Sequence, residues 1–176
     1  MKNSIRRTAL TSTLVLATLA LASATLANAH ATGTSYTFNL IGPNKAMAQN
    51  TILGTPIAAG DILRLTGSGS FDASAGSATG GGTFTHSKPD GTVFARGVWV
   101  VTGFQNFSSY GGPNNGHQGG LLLLTVSIIG PEATFAGLTL QVSCAINASA
   151  GAPEEGTTLP GLFSVSTGGS TLFHAN

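Results

Sequence analysis

Few side chains in this chain could do chemistry, and they are widely spaced. His86 and Arg96 lie on either side of a Pro89-Asp90-Gly91 turn, with Phe84 and Phe94 beside them. A guanidinium and an imidazole among aromatic rings on paired strands form a recognition set. If the face they share turns inward, they can orient the anionic or carbonyl-bearing end of an otherwise apolar molecule. Arg64, on an earlier apolar stretch, is a further candidate for that task. The candidate ligand-binding residues are therefore Arg96, His86, Phe84, Phe94 and Arg64. If the same face meets solvent, they are ordinary polar tips on a core edge.

Other chemical signatures are sparse. Gly80-Gly81-Gly82 is no phosphate cradle, because no strand-to-helix junction and no Lys-Ser or Lys-Thr comes after it. His30, His86, His117 and His174 never occur as a close pair with zinc-type spacing. No Gly-x-Ser-x-Gly elbow is present. Asp61 and Asp72 fall at opposite ends of one expected strand, too far apart for a local acid and base pair. Glu154-Glu155 reads as a solvated loop pair. Cys144, the one cysteine, alternates with Leu138, Leu140, Val142 and Ile146. That places it on an apolar strand face as a buried, inert thiol, with no charged neighbour in sequence to lower its pKa.

The N-terminus dictates where these residues are used. Lys2, Arg6 and Arg7 precede an apolar run from Leu10 to Leu26, and Ala27-Asn28-Ala29 completes a small-x-small cleavage pattern. Residues 1–29 are expected to be an export signal, leaving 30–176 as one domain that is secreted or periplasmic. Ala29-His30-Ala31 is a second acceptable cleavage pattern, which would start the chain at Thr32. No later apolar run has spanning length, so no membrane span is expected after cleavage. Beyond residue 29, Lys45, Arg64, Lys88 and Arg96 stand against Asp61, Asp72, Asp90, Glu132, Glu154 and Glu155, a net charge of −2 with His neutral. Without a basic excess to neutralise phosphates, nucleic acid is not an expected partner. An exported chain with a single cysteine must also hold its core without an internal disulfide.

The remaining pattern is strands throughout. Tyr36 to Ile41 is expected first, closed by a Gly-Pro-Asn turn at 42–44, and Thr51 to Ala58 is extended at an edge because of Pro56. Asp61 to Phe71 reads as a long strand whose Gly67 and Gly69 mark a bend or close backbone approach. The hairpin around Pro89-Asp90-Gly91 organises the middle of the chain. Its three-residue loop with a glycine bulge pairs Lys88 with Thr92, His86 with Phe94, Phe84 with Arg96, Gly82 with Val98 and Gly81 with Trp99. Phe84, His86, Phe94, Arg96, Val98 and Val100 then share one face, and the Trp99 ring covers Gly81 on the other. The second strand continues through Phe104 to Tyr110. After a polar glycine-rich loop at Gly111 to Gly120, Leu121 to Ile129 and Thr134 to Ile146 pair about a Gly130-Pro131 turn. Ala148 to Pro160 is loop, with Leu162 to Val165 and Thr171 to Phe173 closing the chain.

No segment after the signal shows helical apolar spacing with caps. The fold class is therefore all-β, a single antiparallel small β-barrel, with a β-sandwich as the alternative. This build is similar, at the level of fold alone, to small exported or plastid barrels such as allene oxide cyclases and dirigent proteins. The likeness transfers no residue.

Three functional classes fit the sequence, beside a purely structural secreted or surface role. The first is a barrel binding a small apolar molecule with a polar or anionic end, needing no cofactor. The second is a cyclase or isomerase on the same cavity. The third is a copper protein. Cleavage after Ala29 leaves His30 first, and its amine and ring can chelate one metal with a second imidazole completing the site. That start resembles, in this one residue, the histidine brace of lytic polysaccharide monooxygenases and of some periplasmic copper carriers. His86, His117 and His174 are the candidate partners, with His117 preferred because its loop can adjust.

Overall fold

A computed structural model of the chain describes residues 35–111 and 114–176. The expected export signal over 1–29 and the candidate metal ligand His30 lie outside them. The described residues form nine strands and no helix: β1 (Ser35–Met47), β2 (Ile62–Asp72), β3 (Ser77–Ser87), β4 (Val93–Ser109), β5 (His117–Gln118), β6 (Gly120–Ile129), β7 (Thr134–Cys144), β8 (Gly156–Thr158) and β9 (Val165–Ala175). They make one antiparallel sheet in the order β5-β9-β1-β2-β3-β4-β6-β7-β8. This single sheet curls into a half-barrel, so the sandwich alternative does not apply.

Alternation chooses the concave face. Phe38 and Leu40 on β1, Leu63, Leu65 and Phe71 on β2, Leu122, Leu124 and Val126 on β6, and Leu140, Val142 and Cys144 on β7 are all buried. Thr37, Asn39, Arg64, Leu123, Thr125 and Gln141, which alternate with them, are less buried and face the other way. Cys144 is free and buried, as its position among apolar residues implied.

Curvature comes from glycines with rings laid over them. Gly67, Gly82, Trp99 and Ile128 stand in one row across β2, β3, β4 and β6. A Cβ at Gly67 would sit 2.8 Å from the Trp99 ring. Trp99 is fully buried and its Nε1 donates to Thr66 O at 3.0 Å. Phe38 covers Gly69 and Gly80 in the same manner, and Phe84 covers Gly97. A sheet bends sharply where side chains are missing, and the ring restores the lost apolar contact.

Where the sheet's ends approach each other, side chains replace a ladder. β5 covers only the far end of β9. Beyond it Ser166 Oγ donates to Glu155 O at 2.9 Å, and Glu155 Oε1 accepts from Ser170 Oγ at 2.6 Å and from Thr171 N at 2.9 Å. Thr171 Oγ1 also donates to Ser143 O at 2.5 Å. Glu154 is exposed as expected, but Glu155 is a half-buried bridge and not a solvated side chain.

Several local expectations change. The expected loops at Gly111 to Gly120 and Ala148 to Pro160 contain the short strands β5 and β8, and β9 is one strand over Val165–Ala175 in place of two short ones, because both short strands and the middle of β9 are fixed by pairing with distant strands. β1 does not stop at Ile41: it runs on through Gly42-Pro43-Asn44, with Ile41, Gly42 and Pro43 bulged between the pairs Leu40↔Gly67 and Asn44↔Leu65. Residues 51–58 are turns rather than an edge strand. The organising hairpin keeps its turn, with Gly91 N donating to Lys88 O at 2.9 Å and Gly91 at φ 88°. Its register then slips by one. Ser87 pairs with Val93, but His86 pairs with Ala95, Phe84 with Gly97 and Gly82 with Trp99, because Phe94 is bulged out of the ladder. One extra residue exchanges the faces of everything beyond it. Trp99 therefore joins Phe84 and His86 inside, while Arg96 and Val98 point outward.

The glycine contacts give an expected stability contrast. A Cβ at Gly82 would fall 1.8 Å from Thr66 O, a backbone atom that cannot move aside, whereas one at Gly103 meets only the Thr125 side chain at 3.5 Å. Gly82→Ala is expected to lose about 3 kcal/mol or more in denaturant unfolding. Gly103→Ala should be neutral, or gain up to about 1 kcal/mol.

Candidate functional site

The interior is filled unevenly. At the end of the barrel where β1 begins, Tyr36, Phe71, Phe107 and Phe173 pack ring on ring, with centroids 5.0 Å apart for Tyr36–Phe71, 4.8 Å for Phe71–Phe107 and 5.5 Å for Phe107–Phe173. At the other end the side chains stop short and leave a cavity of about 610 Å³. Leu63, Phe84, Ile128 and Leu138 line it from the sheet. Ile57 comes from the loop between β1 and β2, Leu162 and Phe163 from the loop before β9. Phe94 and Phe135, both substantially exposed, also belong to its wall.

The buried polar group in this wall is His86, at the end of β3; Thr55 and the exposed Glu132 are the other polar lining residues. Its ring is buried edge-on against Phe94 and Phe163, with centroids 5.1 and 5.3 Å away. Behind it, His86 Nε2 lies 2.7 Å from Asp61 Oδ2. Asp61 is fully buried, and the same oxygen accepts from Lys88 Nζ at 2.9 Å and from the Ala58 amide at 3.0 Å. Lys88 also donates to Pro56 O at 2.9 Å, and its ammonium stands 4.8 Å over the Phe94 ring. Asp61 and Lys88 thus clamp the 49–60 loop, which supplies Thr55, Pro56 and Ile57 to the cavity.

Electrostatics fixes the imidazole's role. Burial alone pushes the Asp61 carboxyl up, but hydrogen bonds from the Ala58 amide, Lys88 and His86 outweigh it and hold the group below its ordinary value of 3.8. An ionised Asp61 accepts the Nε2 proton, so a neutral His86 carries its lone pair on Nδ1. Among the described residues the side-chain hydrogen bond of His86 is made through Nε2.

The sequence-derived site residues divide sharply. His86, Phe84 and Phe94 come together on the cavity wall. Arg64 and Arg96 do not: with Lys45 and Thr85 they form a row across the convex face, Lys45↔Arg64↔Thr85↔Arg96. Arg96 is exposed, and Arg64 Nη1 donates to Ser87 Oγ at 3.3 Å. Neither guanidinium lines the cavity: the Phe94 bulge turned that part of β4 over, and on β2 Arg64 alternates with the buried Leu63 and Leu65. Asp61 and Lys88 were missed as site residues. Their signal lay in the pairing of β2 with β3, where Leu63↔His86 and Ile62↔Ser87 bring Asp61 beside Lys88. His117 lies at the opposite end of the barrel from His86, paired with His174.

Compared with known protein families, characterised proteins and solved structures, the chain matches none.

Asp61 gives an expected pH dependence. Its folded pKa lies below the unfolded value, so its ionised form adds stability that is fully present above about pH 4 and is lost as pH falls through the folded value. Asp61→Asn is expected to cost about 3 kcal/mol at pH 7, since it leaves His86 and Lys88 facing an amide. Its unfolding free energy should also fall less steeply between pH 5 and 2 than that of wild type. Some slope remains, because Asp72, held down by the Ser74 hydroxyl, and Asp90, held down by the Thr92 amide, shift in the same direction. Urea titrations at several pH values measure both effects.

Proposed function

We propose that this is an exported barrel that holds a small apolar molecule by its body and a polar end by His86. The observation that carries this reading is the cavity itself. At about 610 Å³ it falls within the range of small-molecule sites, is lined mainly by aliphatic and aromatic side chains, and has one oriented imidazole in its wall. With Asp61 taking the Nε2 proton, the free Nδ1 accepts, so the preferred polar end is a donor such as a hydroxyl. A carbonyl or carboxylate end fits when the ring is protonated. The N-terminal signal pattern supports a secreted or periplasmic setting, where apolar molecules need a carrier to stay dissolved.

One observation favours a second reading, a cyclase or isomerase on the same cavity. A buried carboxylate 2.7 Å from an imidazole whose other nitrogen is uncommitted is the arrangement of a general base. Such a base would move a proton on a bound ligand while the apolar wall excludes water.

Two pyrene-alkyl probes, one ending in a hydroxyl and one in a methyl, test the binding reading by fluorescence titration of the exported protein. Wild type is expected to bind both and to prefer the hydroxyl probe by about five- to tenfold. His86→Phe should remove the preference and keep the affinity for the methyl probe. Leu138→Trp, filling the cavity, should abolish both, and Arg96→Ala should change neither. Wild-type protein that ignores both probes would sink the proposal.

A further inference from the structure

The pairing of His117 with His174 is independent of the cavity and stands at the other end of the barrel. The two residues are opposite each other on β5 and β9, and their ring centroids are 5.7 Å apart. On β9, Thr171 and Phe173 point into the core, so His174 projects from the convex face, where it is exposed. Thr37 is its partner on the other side, which adds no charge to the row. His117 is half-buried, and its Nδ1 is enclosed by protein without a hydrogen-bond partner. A ring nitrogen shut away from water and bonded to nothing carries a desolvation cost that a proton donor or a metal ion would relieve.

From this geometry we infer that His117 and His174 form a two-imidazole site for a late divalent transition metal. With metal–nitrogen bonds of about 2.0–2.1 Å, two rings on one ion have centroids about 4.5–6.3 Å apart as the bond angle opens from cis to trans. The observed 5.7 Å lies inside that interval. Imidazole selects Cu, Ni and Zn over Mg or Ca, and Cu²⁺ binds a given nitrogen set most strongly. Among the described residues no third His, Cys, Asp or Glu joins the pair, so water or an external ligand fills the other positions. The metal would also do mechanical work. β5 is two residues long and pairs with β9 through His117 and Gln118, flanked by a bond from the Ala175 amide to Gly116 O, and an ion shared between the strands adds a further pin from the loop carrying β5 to the barrel.

Calorimetric titration of the full exported chain with Cu²⁺ alone, in a non-coordinating buffer, tests this. Wild type is expected to take up one equivalent, with electron paramagnetic resonance showing coupling to two imidazole nitrogens and a raised Tm. His174→Gln, an exposed position that leaves the fold intact, should weaken binding at least tenfold and remove the Tm rise. His117→Gln should do the same, and His86→Gln should leave copper uptake unchanged. The inference is overturned if wild type ignores Cu²⁺, if both Gln variants bind as wild type does, or if only His30→Ala abolishes binding.

Discussion

The fold depends on the Trp99 ring packed against Gly67 in a row that also holds Gly82. A sheet this long must bend to bury its own concave face, and it bends where the backbone carries no side chain. The bare backbone leaves apolar surface uncovered, and the fully buried indole covers it while its N–H finds Thr66 O. Phe38 over Gly69 and Gly80, and Phe84 over Gly97, repeat the arrangement on either side. Curvature and core filling are thus one interaction: remove the rings and the bend has no support, enlarge the glycines and the rings have no place.

The same economy explains why one end is solid and the other hollow. Four aromatic rings meet where β1 begins, and they fill the narrow interior by stacked, tilted and edge-on contacts. Towards the opposite end the inward residues are shorter, and the walls are completed by loops. The 49–60 loop stays in place because Lys88 and Ala58 tie it to the buried Asp61 carboxylate. A carboxylate is costly to bury alone; three donors on Oδ2 offset that cost, while Oδ1 is enclosed with no hydrogen-bond partner among the described residues. The structural clamp and the polarisation of His86 are therefore the same hydrogen bonds, and a ligand that met His86 would feel the state of the loop behind it.

The amino-acid pattern alone determined the all-β class, the strand from Asp61 to Phe71 and those starting at Leu121 and Thr134, the Pro89-Asp90-Gly91 turn, the buried thiol of Cys144 and the placement of His86 between aromatic residues. These rest on local causes: period-two alternation, fixed proline φ and glycine's freedom at φ 88°. Tertiary structure alone decided which side of β4 faces inward. The bulge at Phe94 is stabilised by its result, bringing Trp99 over the glycines while keeping the Phe94 ring against His86. Nothing within residues 92–96 demands it, and an even ladder from the turn predicts the opposite face. Asp61, Lys88 and the His117–His174 pair were illegible for a related reason. Each becomes a neighbour only through strands that are distant in sequence or through a register fixed by core packing. A period-two pattern states that a side chain alternates; only closure of the sheet around its rings states which alternate side is the inside.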